Sequence, residues 1–205
     1  VFVPGCGRGY DLVEFLRSGA AQAVGLDFAP GAAEAAQAYL AGELREGEQG
    51  RAKVRTSPWN PALSFVIKMP AAFSWQTRAT IPISAFGCAA LQVFQGDFFK
   101  WTHPEVPQWD VGYDYTFFCA LHPSMRGDWA SAWARLLAPG ARLICLAFPL
   151  NHGTQTGPPW PVTLDDYKQL LLPAGFELEK EEPVPPERSH PGRASKECML
   201  VFRRV

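Results

Sequence analysis

The first eleven residues, Val1-Phe2-Val3-Pro4-Gly5-Cys6-Gly7-Arg8-Gly9-Tyr10-Asp11, run an apolar strand into a glycine-rich turn that leads to a helix. Gly5, Gly7 and Gly9 have no Cβ, so the backbone can take positive φ, turn sharply and bring its N–H groups against a ligand. Asp27 ends the next apolar segment, Ala23-Val24-Gly25-Leu26, where a carboxylate can accept both hydroxyls of a ribose. Strand, glycine turn, helix, strand and acidic residue, in that order, point to a nucleotide-cofactor pocket at the start of an α/β fold.

A glycine turn of this kind serves more than one cofactor class, and spacing separates them. A dinucleotide fingerprint places a third glycine at the sixth position of G-x-G-x-x-G, where helix and strand pack tightly around a pyrophosphate. Here that position is Tyr10, whose side chain blocks the close approach. A methionine-derived sulfonium cofactor carries no pyrophosphate and needs only the tight turn and the acidic ribose partner. The segment therefore favours a methyltransferase over an NAD(P)-dependent oxidoreductase. A turn that binds nothing is the bland alternative.

At 205 residues the chain suits a single domain. Apolar residues at 47% and a formal net charge of -1 give no electrostatic attraction to nucleic acid or an anionic membrane, so a small-molecule partner is expected. Cys6, Cys88, Cys119, Cys145 and Cys198 are scattered without a C-x-x-C pair, against a disulfide framework or a zinc site and consistent with a reducing, cytoplasmic setting. No metal is expected. There is no run of 18 apolar residues.

Strand and helix patterns alternate along the chain, the pattern of a parallel sheet covered by helices on both faces. Helices are predicted over 11–18, with Leu12, Val13, Phe15 and Leu16 on one stripe and Gly19 as the stop, and over 31–44, followed by a polar connection over 43–51. Trp109 to Asp114 reads as a strand. Trp129, Ala132, Trp133, Leu136 and Leu137 form a core-facing helical stripe, with Pro139-Gly140 as its terminator and 142–147 as a buried strand. Thr163-Leu164-Asp165-Asp166 resembles a capping box and opens a helix that ends at Pro173. Strands over 176–181 and 198–203 close the sheet, joined by a proline-rich loop over 183–195.

Residues 54–92 do not fit this alternation. They contain no acidic residue, three basic ones (Arg55, Lys68, Arg78) and four prolines, among bulky residues such as Trp59, Phe65, Phe73, Trp75 and Phe86. A structureless insertion of this length within a compact domain is uncommon. Joining Lys53 to Val93 restores a strand running into Gln95-Gly96-Asp97-Phe98-Phe99, so 54–92 is expected to be an anomalous insertion such as a translated intron, with a real lid or oligomerisation loop as the alternative.

With that insertion set aside, six segments match in order the thiopurine S-methyltransferase superfamily. They are 3–11, Val24-Gly25-Leu26-Asp27, Gln95-Gly96-Asp97-Phe98-Phe99, Tyr113-Asp114-Tyr115-Thr116-Phe117-Phe118-Cys119-Ala120-Leu121, Leu136-Leu137-Ala138-Pro139-Gly140 and Gly157-Pro158-Pro159-Trp160-Pro161-Val162. Within the superfamily the chain most resembles the thiol, thiocyanate and halide methyltransferases called harmless-to-ozone-layer proteins. The resemblance implies a class I methyltransferase, Rossmann-like sheet, mostly parallel with one antiparallel closing strand. It also implies S-adenosyl-L-methionine as cofactor, with Gly5, Cys6, Gly7 and Gly9 around its methionine part and Asp27 on the ribose. Asp97 is expected at the adenine amino group, and Phe28 and Phe98 are expected to sandwich the ring by stacking.

For the acceptor, the same resemblance implies a small thiol or anion: a thiol, thiocyanate or a halide. Transfer to such a nucleophile asks for in-line positioning and removal of water rather than a catalytic triad or metal. Tyr115, Phe117, Pro159 and Trp160 are the expected acceptor pocket, with the Tyr115 hydroxyl orienting the nucleophile. Asp114 is expected either as a base for a protonated thiol or as a contact to the cofactor's ammonium group. His122, His152 and His190 read as isolated loop residues rather than catalytic ones. Residues 1–205 are expected to be one methyltransferase domain lacking the family's amino-terminal segment, which makes a catalytically silent or truncated product the competing reading.

Overall fold

A computed structural model describes residues 1–48, 91–150, 153 and 156–205. Most of the anomalous segment, residues 54–90, therefore lies outside the described residues, as does His152. The described chain forms two compact units, Val1 with Val3–Asp97, and Phe2 with Phe98–Val205.

In the first unit, strand β1 (Phe2–Pro4) leads through the glycine turn to helix α1 (Tyr10–Arg17), strand β2 (Ala23–Asp27), helix α2 (Pro30–Glu48) and strand β3 (Leu91–Gln95). The apolar stripe of α1 behaves as its spacing predicts, with Leu12, Val13, Phe15 and Leu16 all buried. Gly19, at φ 97°, follows the helix in the left-handed region that glycine tolerates best. Pro30 opens α2, where its missing N–H costs no helical bond. β2 and β3 pair in parallel from Ala23 opposite Leu91 to Asp27 opposite Gln95. β3 thus begins with Leu91 and Gln92, inside the limit expected for the insertion, and Leu91 is buried.

The second unit contains strand β4 (Trp109–Tyr115), helix α3 (Arg126–Leu136), strand β5 (Leu137–Ala147), helix α4 (Leu164–Leu171), strand β6 (Phe176–Pro183) and strand β7 (Cys198–Arg204). β4 and β5 run parallel, while β7 is antiparallel to both β5 and β6. The hydrogen-bonded order is β3-β2-β1-β4-β5-β7-β6, so the sheet is mostly parallel with one antiparallel strand, the architecture expected from the sequence. Phe2 pairs with Gly112 and carries an aromatic cluster, stacking on Trp101 at 5.1 Å and Trp109 at 5.6 Å and meeting Trp133 edge-on. His103, buried beside this cluster, accepts from the N–H groups of Glu105 and Val106 through Nδ1. The predicted capping box is present: Thr163 Oγ1 accepts from the Asp166 N–H and the Asp166 carboxylate accepts from the Thr163 N–H.

Two boundaries differ from the sequence expectation. Helix α2 continues through Glu48 and absorbs most of the predicted polar connection, because Glu43, Leu44, Arg45 and Glu46 are all adequate helix formers. Helix α3 ends at Leu136, and Leu137 already belongs to β5, opposite Trp109. Pro139 disfavours the helical conformation at Ala138, so the chain must leave the helix before the proline. Pro139 and Gly140 then fall inside β5, at an irregularity in its pairing with β4 where Gly140 adopts φ 83°.

Candidate functional site

In the first unit the glycine turn has the conformation its sequence demands. Gly5, Gly7 and Gly9 take φ values of 62°, 52° and 75°. A side chain at any of them would be strained. The turn is tied to β2 by backbone and side chain together: Cys6 N–H donates to the Leu26 carbonyl at 3.3 Å, and Gly7 N–H donates to Asp27 Oδ2 at 3.0 Å. Asp27 Oδ1 accepts from Ala29 N–H at 3.0 Å. Each carboxylate oxygen keeps a further lone pair, and Asp27 is half-buried at the strand end rather than sealed in the core.

Gly25 makes the close packing of this turn possible, since a Cβ there would sit 2.6 Å from Cys6 Sγ and 2.8 Å from Leu12 Cδ1. Burial, reinforced by the nearby Asp27 charge, pushes the Cys6 thiol up to about 12, so it remains protonated and inert at neutral pH. Phe28, directly after Asp27, is 78% exposed. Gly96 N–H donates to the Asp27 carbonyl at 2.9 Å, which brings half-buried Asp97 to the same strand edge. The open space around Gly7, the exposed Phe28 ring and the fixed Asp27 carboxylate fit an adenosine-bearing cofactor.

Of the residues expected at the cofactor, Phe98 and Asp114 belong to the second unit. Phe98 is buried in the aromatic cluster, edge-on to Phe117 at 5.0 Å and to Trp133 at 5.3 Å. Asp114 is 1% exposed, and both its oxygens are engaged: Oδ1 by Phe118 N–H at 3.0 Å and Oδ2 by Trp129 Nε1–H at 2.8 Å. Burial pushes its carboxyl up to about 6, against the opposing pull of those donors. Asp114 thereby fixes the short turn after β4 to helix α3.

That turn borders a cleft of about 310 Å³ lined by Thr116, Cys119, Ala120, Phe148, Pro158, Pro159 and Arg193. Thr116 holds φ 62°, a costly conformation for a β-branched residue and of a kind that gathers at functional sites. Pro159 lines the cleft. Trp160 anchors the proline segment instead, its N–H donating to the Cys119 carbonyl at 2.7 Å and its ring meeting His122 edge-on. A Cβ on Gly157 would fall 2.5 Å from Trp160 Cγ, which explains glycine at that bend. Phe117 packs against Phe98.

Tyr115 reaches the cleft through Arg193. Its hydroxyl accepts a short hydrogen bond from Arg193 Nη1 and donates to Glu197 Oε1 at 3.1 Å. Ser189 Oγ–H donates to Glu197 Oε2 at 2.9 Å, and the Arg193 guanidinium lies over the Phe148 ring at 4.2 Å. Arg193, Glu197 and Ser189 had no distinguishing signal in the sequence except a lone carboxylate directly before the apolar run that starts at Cys198. Among the described residues there is no cluster able to hold a metal ion, no helix is long and apolar enough to cross a membrane, and Cys6, Cys119, Cys145 and Cys198 are free thiols.

A protein named "Probable thiol methyltransferase 2" from Arabidopsis thaliana is 33% identical over 175 residues, 85% of this chain and 57% of that protein. Thiocyanate methyltransferase 1 of Brassica oleracea is 32% identical over 184 residues, 89% of this chain and 61% of its own length. The chain thus spans little more than half of each of these relatives. Among solved structures, a SAM-dependent methyltransferase from Methanosarcina mazei superposes with a TM-score of 0.63 at 14% identity, covering 100% of this chain and 91% of that one. Magnesium protoporphyrin IX methyltransferase from Synechocystis PCC 6803 superposes with a TM-score of 0.63 at 14% identity, covering 100% and 73%, so the sheet is that of this methyltransferase fold. Residues 69–199 match the thiopurine S-methyltransferase (TPMT) family, and the chain belongs to that family.

Proposed function

We propose that this protein is an S-adenosyl-L-methionine-dependent methyltransferase that methylates a small soft nucleophile: a thiol, thiocyanate or a halide. The observation that carries the reading is Asp27, presented half-buried at the end of β2 with its two oxygens aligned by the Gly7 and Ala29 N–H groups. A carboxylate fixed in this way accepts both hydroxyls of a ribose without reorganising. Gly5, Cys6, Gly7 and Gly9 would surround the methionine portion, Phe28 would stack on the adenine, and Asp97 would accept from its amino group. The family match and the thiol and thiocyanate methyltransferase relatives support the same chemistry.

The cofactor supplies a methyl group on a sulfonium, an electrophile that needs no further activation. What remains for the chain is to desolvate and aim the nucleophile. In the second unit, Phe148, Pro158, Pro159 and Ala120 give the cleft largely apolar walls, against which a polarisable acceptor would shed part of its water. The bound cofactor would supply the methyl carbon and keep the departing electron pair on its own sulfur, while an acceptor held in the cleft would supply the lone pair for the new bond. An anionic acceptor becomes neutral, and no general base is required. Cys119 also faces the cleft, but burial pushes its thiol up to about 12, which keeps it protonated and poorly nucleophilic at neutral pH. We read Asp114 as a positioning residue, because both its oxygens are committed to Phe118 and Trp129.

Calorimetry of the full-length protein against S-adenosylmethionine and reduced nicotinamide dinucleotide tests the cofactor, with affinity for the sulfonium compound expected. Headspace detection of methyl iodide, methanethiol and methyl thiocyanate tests the acceptor. Preferential dinucleotide binding would replace the reading with an oxidoreductase. Cofactor binding without any of the three products would reduce it to a cofactor-binding protein.

A further inference from the structure

Of the polar residues that line the acceptor cleft, Thr116, Cys119 and Arg193, only Arg193 carries a charge. A phenol has one proton to donate, and the proton of Tyr115 is directed to Glu197 Oε1, while one of its lone pairs accepts from Arg193 Nη1. The Tyr115 hydroxyl therefore has no proton left for a nucleophile. Glu197 is sealed, its side chain 0% exposed, with Ser189 Oγ–H and Tyr115 O–H on its two oxygens and Arg193 Nη1 at 3.9 Å. Arg193 itself is 28% exposed, lines the cleft and stacks on Phe148. The counter-charge is thus buried away from the opening, while the guanidinium faces it. A flat, weakly hydrated cation held over an aromatic ring is matched to a soft anion, and its planar fork is lost on replacement by lysine.

We infer that Arg193 is the acceptor-binding residue of the cleft, selecting the anionic form of the nucleophile, and that Tyr115, Glu197 and Ser189 position it. This differs from the sequence expectation that the Tyr115 hydroxyl orients the nucleophile, and it rests on the methyltransferase reading for its consequence in turnover but not for anion binding itself. Because the positioning groups lie on a strand end and on the loop before β7, 82 positions apart in the chain, they bring two distant segments to a single guanidinium.

The test uses Arg193→Lys, Arg193→Gln and Tyr115→Phe in the full-length protein, each checked for folding by circular dichroism and for cofactor affinity by calorimetry. With thiocyanate as acceptor, Arg193→Lys is expected to raise KM at least tenfold with kcat changed by less than threefold, and Arg193→Gln to raise KM further. Tyr115→Phe keeps the ring but loses both hydrogen bonds, and is expected to raise the thiocyanate KM by an intermediate factor. Independently of turnover, titration with potassium thiocyanate is expected to shift the Arg193 Nε–H signal in ¹⁵N NMR of the parent protein, and Tyr115→Phe is expected to weaken that response. A folded Arg193→Lys and Arg193→Gln pair whose thiocyanate KM stays within twofold of the parent, or an Arg193 signal unmoved by thiocyanate, would overturn the assignment. Absence of cofactor binding with the NMR shift intact would overturn the methyltransferase reading and leave the anion site standing.

Discussion

Gly7 N–H and Asp27 Oδ2 meet at 3.0 Å across 20 residues of sequence, so the glycine turn and the end of β2 hold each other in place. The carboxylate expected to grip a ribose is also the brace of the loop expected to receive the rest of the cofactor. Asp27→Ala is therefore expected to lose more than a ribose contact: S-adenosylmethionine affinity should fall at least a hundredfold, and stability by about 1–3 kcal/mol as two backbone N–H groups lose a charged acceptor. Calorimetry and urea denaturation measure the two effects. Unchanged cofactor affinity in the folded variant would remove Asp27 from the site.

Gly25 carries a second prediction about the same turn. A Cβ at this position meets Cys6 Sγ at 2.6 Å and Leu12 Cδ1 at 2.8 Å, both in a region without slack. Gly25→Ala is expected to cost roughly 1–3 kcal/mol, the usual range for overpacking a tight interior. Adding Cys6→Ala removes the closest of these contacts and should restore part of the loss, so the double variant should be more stable than the sum of the single changes predicts. Strict additivity in thermal melts would show that the turn does not press on β2.

The parts of this molecule that were legible in the sequence are those fixed by local chemistry. The glycines of the first turn, the apolar stripe of α1 and the Thr163–Asp166 box all act within a few residues, and each takes the predicted form. Leu137 was misplaced because an apolar residue satisfies a helical stripe and a buried strand equally well, and only the restriction imposed by Pro139 separates them. Phe98, expected as a stacking platform, is buried in the aromatic cluster, and nothing in its sequence neighbours distinguishes a core phenylalanine from a binding one. Arg193 and Glu197 were invisible for a different reason. Their partner Tyr115 is distant in sequence, and no periodicity links a strand end to a proline-rich loop.

Thr116 stores strain at the cleft. Its φ of 62° costs about 1–3 kcal/mol for a non-glycine residue, more than the backbone entropy of roughly 0.5–1 kcal/mol that glycine adds to the unfolded chain. Thr116→Gly is expected to leave stability unchanged or raise it by about 1 kcal/mol while lowering kcat/KM for thiocyanate, because the Thr116 side chain lines the cleft. Urea denaturation together with steady-state kinetics separates this from a merely structural residue, for which activity would follow stability.

Asp114 provides a pH signature. Its carboxyl is raised from an ordinary value of 3.8 to about 6, chiefly because burial penalises the charge. Between these values the folded protein binds the Asp114 proton while the unfolded chain has released it, so this group's contribution to stability is greatest below about pH 4. It declines as pH rises through the interval and is constant above about pH 6, a fall of roughly 2–3 kcal/mol. Asp114→Asn removes the titration. It is destabilising at every pH, because an amide nitrogen must face either the Phe118 N–H or the Trp129 Nε1–H that now donate to the two carboxylate oxygens. The stability advantage of the parent over this variant should therefore be largest near pH 4 and shrink toward pH 6, opposite to what a carboxylate held ionised by a cation would show. Urea denaturation of both proteins at pH 4, 5, 6 and 7 measures that difference directly; a gap that widens with rising pH would mean that Asp114 is ionised and paired in the folded protein.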